Sequence, residues 1–236
     1  MNLRKIPLVI FILLFSSVVV FPLPFQTVSL CVPETVNRNG LYLFFLHGRI
    51  VEDRGIRPTS ETYGVYEYEK ILETFQNKGF TVISESRPKN TNVWTYADQI
   101  TGQIEILLDA GVPAQNITVA GASKGGAIAI VVSAKLQNKD LNYALIAACE
   151  ETMVASLVDR GLFLTGSVLS IFDTGDEFLT SCQVYFKESL AQGLGDFQEI
   201  ALDLGRGHGF HYTPVKEWVE PVIDWAKRHG AERRYP

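Results

Sequence analysis

The sequence predicts a single α/β domain: a three-layer α/β/α sandwich around a mostly parallel sheet of about six strands. Three observations carry this. Short continuous apolar runs, as in Leu41-Tyr42-Leu43-Phe44-Phe45-Leu46, read as strands covered on both faces. Segments with apolar residues at helical spacing alternate with those runs. The residue types able to do chemistry cluster just after the runs, where ligands of such sheets bind.

After the run 41–46 comes a polar stretch, 49–62, expected to be loop. Tyr68, Ile71, Leu72 and Phe75 then fall at i, i+3, i+4 and i+7, one face of a helix that Gly79 is placed to end. Residues 80–84 form the second core strand. Thr95 with Asp98 resembles a capping box; Ile100, Ile104, Leu107 and Leu108 give that helix its stripe, and Gly111 and Pro113 close it. The third strand, 117–120, runs into Gly121-Ala122-Ser123-Lys124-Gly125-Gly126 and then a small-residue apolar helix. Further strands are expected at 143–148, 168–172 and, more weakly, 197–202. Thr213 as N-cap and Pro214 at the first helical position should open the last helix, with Trp218, Val222 and Trp225 facing inward and Pro221 kinking it. Right-handed crossovers follow by rule.

Residues 1–29 stand apart. Arg4 and Lys5 precede an apolar run that Pro22 and Pro24 break, and Thr27 and Ser29 are small residues two apart. This is the pattern of a signal peptide, with residues 30–236 the folded domain and export to the periplasm or medium expected. The alternative is an uncleaved membrane anchor, although the strictly apolar stretch is short for a span of ~20 residues. Export makes a disulfide permissible, and Cys149 with Cys182, each following a strand, are the candidate pair. The formal net charge of −5, without a basic cluster, argues against nucleic acid as a partner. No histidine or cysteine spacing suits a metal, and no cofactor motif is present. The sequon at Asn116 enters an expected buried strand and reads as chance.

Gly121-x-Ser123-x-Gly125 lies between a strand and a helix, the setting of a nucleophile elbow. A serine hydroxyl is a poor nucleophile without a base. His208, in the glycine-flanked Gly207-His208-Gly209, is the preferred base, with His211 its rival. His229, beside Lys227 and Arg228, reads as a solvated helix end. The orienting carboxylate comes from Asp173, Asp176 or Glu177 after the fifth strand; Asp176 is chosen, because Asp173 sits where an aspartate caps a turn. The chain order Ser123, Asp176, His208 differs from the chymotrypsin and subtilisin orders. Oxyanion donors are expected at the backbone N–H of Lys124 and, after the His47-Gly48 pair, of Arg49 or Ile50, with His47 bracing the loop. Arg49, Glu52, Asp53, Arg54, Glu85 and Arg87 gather near the same edge. They read either as a salt-bridged surface or, at Arg49 or Arg87, as a grip on a substrate carboxylate or phosphate.

Together, His47-Gly48, Gly121 to Gly126, Thr174-Gly175-Asp176-Glu177 and Gly207-His208-Gly209-Phe210 resemble the α/β-hydrolase superfamily over residues about 40 to 228. The resemblance implies hydrolysis of an ester, amide or thioester through an acyl-enzyme, on a small-molecule substrate. The chain departs from the family's eight-stranded sheet: too little sequence precedes Leu41 for two further strands, and no long insertion supplies a lid. The same constellation would serve an acyltransferase, a non-catalytic binding member of the fold, or an accessory protein tethered by its leader.

Overall fold

A computed structural model describes residues 31–230. The expected leader, residues 1–29, lies outside the described residues, and Cys31 at their start is an exposed free thiol. The core sheet has six strands, all parallel. In chain order the strands are β1 (Leu41–Leu46), β2 (Thr59–Ser60), β3 (Gly64–Val65), β4 (Phe80–Ile83), β5 (Ile117–Ala122), β6 (Asn142–Ile146), β7 (Gly166–Asp173) and β8 (Leu194–Leu202). The core order is β4-β1-β5-β6-β7-β8, with β2 and β3 forming a separate small hairpin. The helices are α1 (Arg49–Arg54), α2 (Tyr68–Asn77), α3 (Val93–Asp109), α4 (Lys124–Leu136), α5 (Glu151–Asp159), α6 (Gln183–Ser189) and α7 (Lys216–His229).

Strand periodicity sorts the core into two layers. Alternate side chains of β1 point to opposite faces. Tyr42, Phe44 and Leu46 pack with Ile100, Ile104 and Leu107 of α3 and with Ile128 and Val131 of α4. Leu43 and Phe45 pack with Ile71 and Phe75 of α2 and with Trp218, Val222 and Trp225 of α7. The stripe residues expected of α2, α3 and α7 are therefore those that bury, apart from Leu108 of α3, which is only partly buried. The expected three layers and six strands are present.

Local details differ from expectation in five places. The stretch after β1 is not all loop: α1 forms there, because Gly48 gives it an extended entry at its N-cap. The cap of α3 is Asn92, whose side chain accepts from the N–H groups of Trp94 and Thr95; Asp98 instead pairs with Lys135 of α4. The last helix opens at Lys216 behind Val215, not at Thr213-Pro214. Thr213 stays extended, and its carbonyl accepts from both Val215 N and the Trp218 indole. His229 is not solvated: it is buried, with Nδ1 at 2.9 Å from the Trp225 carbonyl and Nε2 at 3.0 Å from Asp196. The strand expected to be weakest, β8, is the longest, at nine residues.

Two constraints pin the carboxyl edge of the sheet. Cys149 and Cys182 are joined by a disulfide across a separation of 33 residues, beside a bridge between Cys149 and Thr180. The first turn of α4 also lies hard against β1: a Cβ on Gly125 would overlap the carbonyl of Leu46, and one on Gly121 the carbonyl of Gly125. Gly125→Ala should therefore lower the free energy of unfolding by about 3 kcal/mol or more. Gly79→Ala provides the contrast. There φ is +98°, but nothing lies within 4 Å of a new Cβ, so only backbone strain of ~1 kcal/mol is added. Urea midpoints of the two variants check the order.

Candidate active site

Ser123 sits where β5 hands over to α4, at φ 53° and ψ −119°. A non-glycine residue in this region is strained. The strain is held by the Ser123 N–H, which donates to the Ile146 carbonyl at 2.8 Å, and by the glycine contacts on either side. The hydroxyl is thereby lifted above the strand ends.

His208 reaches it from the loop after β8, in the 3₁₀ segment Gly207–Tyr212. Its Nε2 lies 3.0 Å from Ser123 Oγ, and its Nδ1 lies 2.8 Å from Asp176 Oδ2. A carboxylate only accepts, so Nδ1 carries the proton and Nε2 is free to accept from the serine hydroxyl. The three side chains singled out in the sequence are thus brought into one hydrogen-bonded line.

Asp176 is fixed in turn by the N–H groups of Phe178 and Leu179, both donating to Oδ1. Burial pushes its carboxyl up. The bond from His208 and the Phe178 and Leu179 donors outweigh that, and hold it below the ordinary carboxylate range. The rival carboxylates do other things. Asp173 caps the turn, accepting from Gly175 N at 2.9 Å and Leu204 N at 3.0 Å, and Glu177 is exposed.

His211, the rival base, is buried against Tyr66, Phe210, Tyr212 and the edge of His208. Burial, followed by the nearby His208, pushes its imidazole down to about 3. His47 does brace its loop. Its Nε2 accepts from Arg87 N at 3.0 Å, so its Nδ1–H donates to the Gly48 carbonyl at 2.8 Å. Burial and then the Arg87 charge push it down to about 3 as well. Both rings are neutral at pH 7.

The expected oxyanion donors open two helices, Lys124 at the start of α4 and Arg49 at the start of α1. N–H groups at these first positions have no acceptor within their own helix. Gly48 brings the two starts together: a Cβ there would sit 3.6 Å from Ser123 Cβ.

The charged cluster divides. Arg49 is exposed, paired with Asp53 at 3.2 Å, and lines a cleft of about 480 Å³ that also contains Gly48, Ser123 and His208. Arg87 is not available to a substrate, contrary to expectation. Its side chain is wholly buried, bound to Glu52 at 2.8 Å and to the His47 carbonyl. Glu85 accepts from Tyr96 at 3.2 Å. The β2–β3 hairpin, not expected from the sequence, walls one side of the cleft with Ser60 and Thr62 and sets Tyr63 edge-on to His208. Two-residue strands carry too little periodicity to be seen. Among the described residues no group of three or more His, Cys, Asp or Glu side chains suits a metal ion, and no helix is long and apolar enough to cross a membrane.

No family model matches the chain, and no curated protein matches it in sequence. Solved structures do match in shape. One of two fungal esterases from Rhizomucor miehei superposes with a TM-score of 0.58 at 16% identity, covering 83% of this chain and 77% of that one. Est1E from Butyrivibrio proteoclasticus gives 0.53 at 11% identity, covering 82% and 89%. SOBER1 from Arabidopsis thaliana gives 0.51 at 12% identity, covering 80% and 98%. The chain has the α/β-hydrolase fold.

The two neutral imidazoles set a pH dependence. Between about 6.5 and 3 the unfolded chain binds protons at these rings that the folded one refuses, so stability is full above the ordinary histidine value and falls as pH drops through this window. The expected slope is about 1.4 kcal/mol per pH unit for each ring. Urea unfolding at pH 7, 6, 5 and 4 should show it, and His211→Phe should remove one ring's share.

Proposed function

We propose that this chain is a serine hydrolase that cleaves a small ester, or a related amide or thioester, through an acyl-enzyme. The observation that carries the reading is the continuous relay Ser123–His208–Asp176, with bonds of 3.0 and 2.8 Å, at the mouth of an open cleft. Ser123 Oγ attacks the carbonyl carbon while His208 Nε2 takes its proton. Asp176 keeps the imidazole in the Nδ1–H tautomer and stabilises the imidazolium. The oxyanion is met by the N–H groups of Lys124 and Arg49, donors of a kind worth about 3 kcal/mol each. The proton then passes from His208 to the leaving group. Water, activated by the same imidazole, releases the acyl group and restores the serine. The structural neighbour from Rhizomucor miehei is an esterase, which agrees with this class of reaction.

Arg49 is the candidate for recognising an acidic group on the substrate. Its pair with Asp53 is a surface contact, worth ~0–1 kcal/mol, and so is easily exchanged for a bound anion. Export through the leader is part of the proposal, and the Cys149–Cys182 bond supports an oxidising compartment.

Three experiments test these readings. A fluorophosphonate probe should label the wild type and not Ser123→Ala. On p-nitrophenyl acetate, kcat should fall about 10⁶-fold in Ser123→Ala and about 10⁴-fold in Asp176→Asn. Labelling that survives Ser123→Ala overturns the assignment. For Arg49, p-nitrophenyl acetate is compared with its anionic analogue, mono-p-nitrophenyl succinate. The wild type should favour the anion, and Arg49→Ala should lose that preference by about fivefold. Equal kcat/KM for both esters in the wild type removes the anion-binding role.

A further inference from the structure

Beneath the cleft floor lies a buried three-way ion pair. The Glu52 side chain is 1% exposed, and its two oxygens face different cations. Oε1 accepts from Arg87 Nε at 2.8 Å, and Oε2 accepts from Lys124 Nζ at 2.5 Å. Arg87 also donates through Nη2 to the His47 carbonyl and through its backbone N–H to His47 Nε2, while the ring's other nitrogen donates to the Gly48 carbonyl. Its guanidinium lies 5.3 Å from the centroid of the Tyr96 ring.

A buried charge set of this kind is a weak source of stability, because desolvation offsets most of the attraction. Its connectivity is more informative. Glu52 lies on α1, the helix that begins at Arg49. Lys124 is the first residue of α4, immediately after the nucleophile. Arg87 comes from the loop after β4 and grips His47, two residues before α1, through two bonds. The carboxylate thus fastens the segment holding one oxyanion donor to the residue that supplies the other. Nothing else about Lys124 requires a lysine, since its N–H is backbone.

We infer that Glu52 is a positioning residue for the oxyanion hole, setting the distance between the Arg49 and Lys124 N–H groups through its bonds to Lys124 Nζ and Arg87. This rests on the hydrolase reading above. Misplacing a donor weakens the transition state more than the ground state, so the loss falls on kcat.

The test is a double-mutant cycle on p-nitrophenyl acetate, with phenylboronic acid, which forms a tetrahedral adduct on a serine, as the transition-state probe. Lys124→Met keeps the backbone donor and the Glu52–Arg87 pair. It should lower kcat about tenfold to a hundredfold with KM within about twofold, and phenylboronic acid binding should weaken in step. Glu52→Gln should act alike, and Glu52→Gln/Lys124→Met should be no worse than the weaker single variant. Lys135→Met serves as control: it removes the α4 pair with Asp98 and should leave kcat within about twofold. If Glu52→Gln, with Arg87 left uncompensated, fails to fold, Lys124→Met decides alone. Full kcat in Lys124→Met, a loss confined to KM, or strictly additive losses overturns the inference. A wild type without Ser123-dependent turnover overturns the hydrolase reading instead, and the inference with it.

Discussion

The close approach of α4 to the end of β1 is the constraint on which the site depends. With no room for a methyl group between Gly125 and the Leu46 carbonyl, the first turn of α4 is pressed onto the strand that carries His47 and Gly48. That contact puts the serine at the handover from β5 and the start of α1 in one place. It also explains why Ser123 can be kept at φ 53°. The unfavourable dihedral is enclosed by backbone, with glycine on one side and a strand hydrogen bond to Ile146 on the other holding it in place.

Charge is distributed around the site in two registers. Ser123 and His208 face the cleft with Asp176 buried behind them, and each finds its partner within the relay: Asp176 on His208, His208 on Ser123. The other imidazoles in the neighbourhood are silenced by burial. His47 is tied into the loop it braces, and His211 is packed among aromatic rings, while His208 holds the bond to the Ser123 hydroxyl. Below them, Arg87 and Lys124 converge on a single carboxylate. The same residue types therefore do different work according to depth: at the rim Arg49 stays free to exchange partners, while at the neighbouring strand-end Arg87 is locked.

What the sequence made legible follows from the length over which each signal is written. Six apolar runs and three amphipathic stripes extend over many residues, so the sheet and the faces of α2, α3 and α7 were readable. Ser123, Asp176 and His208 were readable because each sits in a short motif whose place at a strand end was already fixed by those runs. Signals of one or two residues were not. Asn92 outcompetes Thr95 for the cap because its carboxamide oxygen reaches two N–H groups, a matter of local geometry that spacing does not encode. His229 looked solvated among basic neighbours, yet Asp196 and the Trp225 carbonyl, the former remote in sequence, give it a buried place.

Arg87 shows why a cluster of charges near a strand end cannot be sorted by composition. Arg49 and Arg87 are equivalent in sequence: each follows a core strand by a few residues and each has acids nearby. What separates them is the direction of one neighbour. Glu52 is the third residue after Arg49, close to one turn on, so its side chain rises on nearly the same side of α1 as Arg49, displaced inward toward β4 and α4. Once its carboxylate is buried it must be matched, since an unpaired charge there costs several kcal/mol. Arg87 and Lys124 are the cations within reach, and both are consumed in matching it. Arg49, one turn nearer the cleft, keeps an exposed side chain whose partner is the surface residue Asp53. A single buried acid thus decides which basic residues are structural and which remain available for recognition.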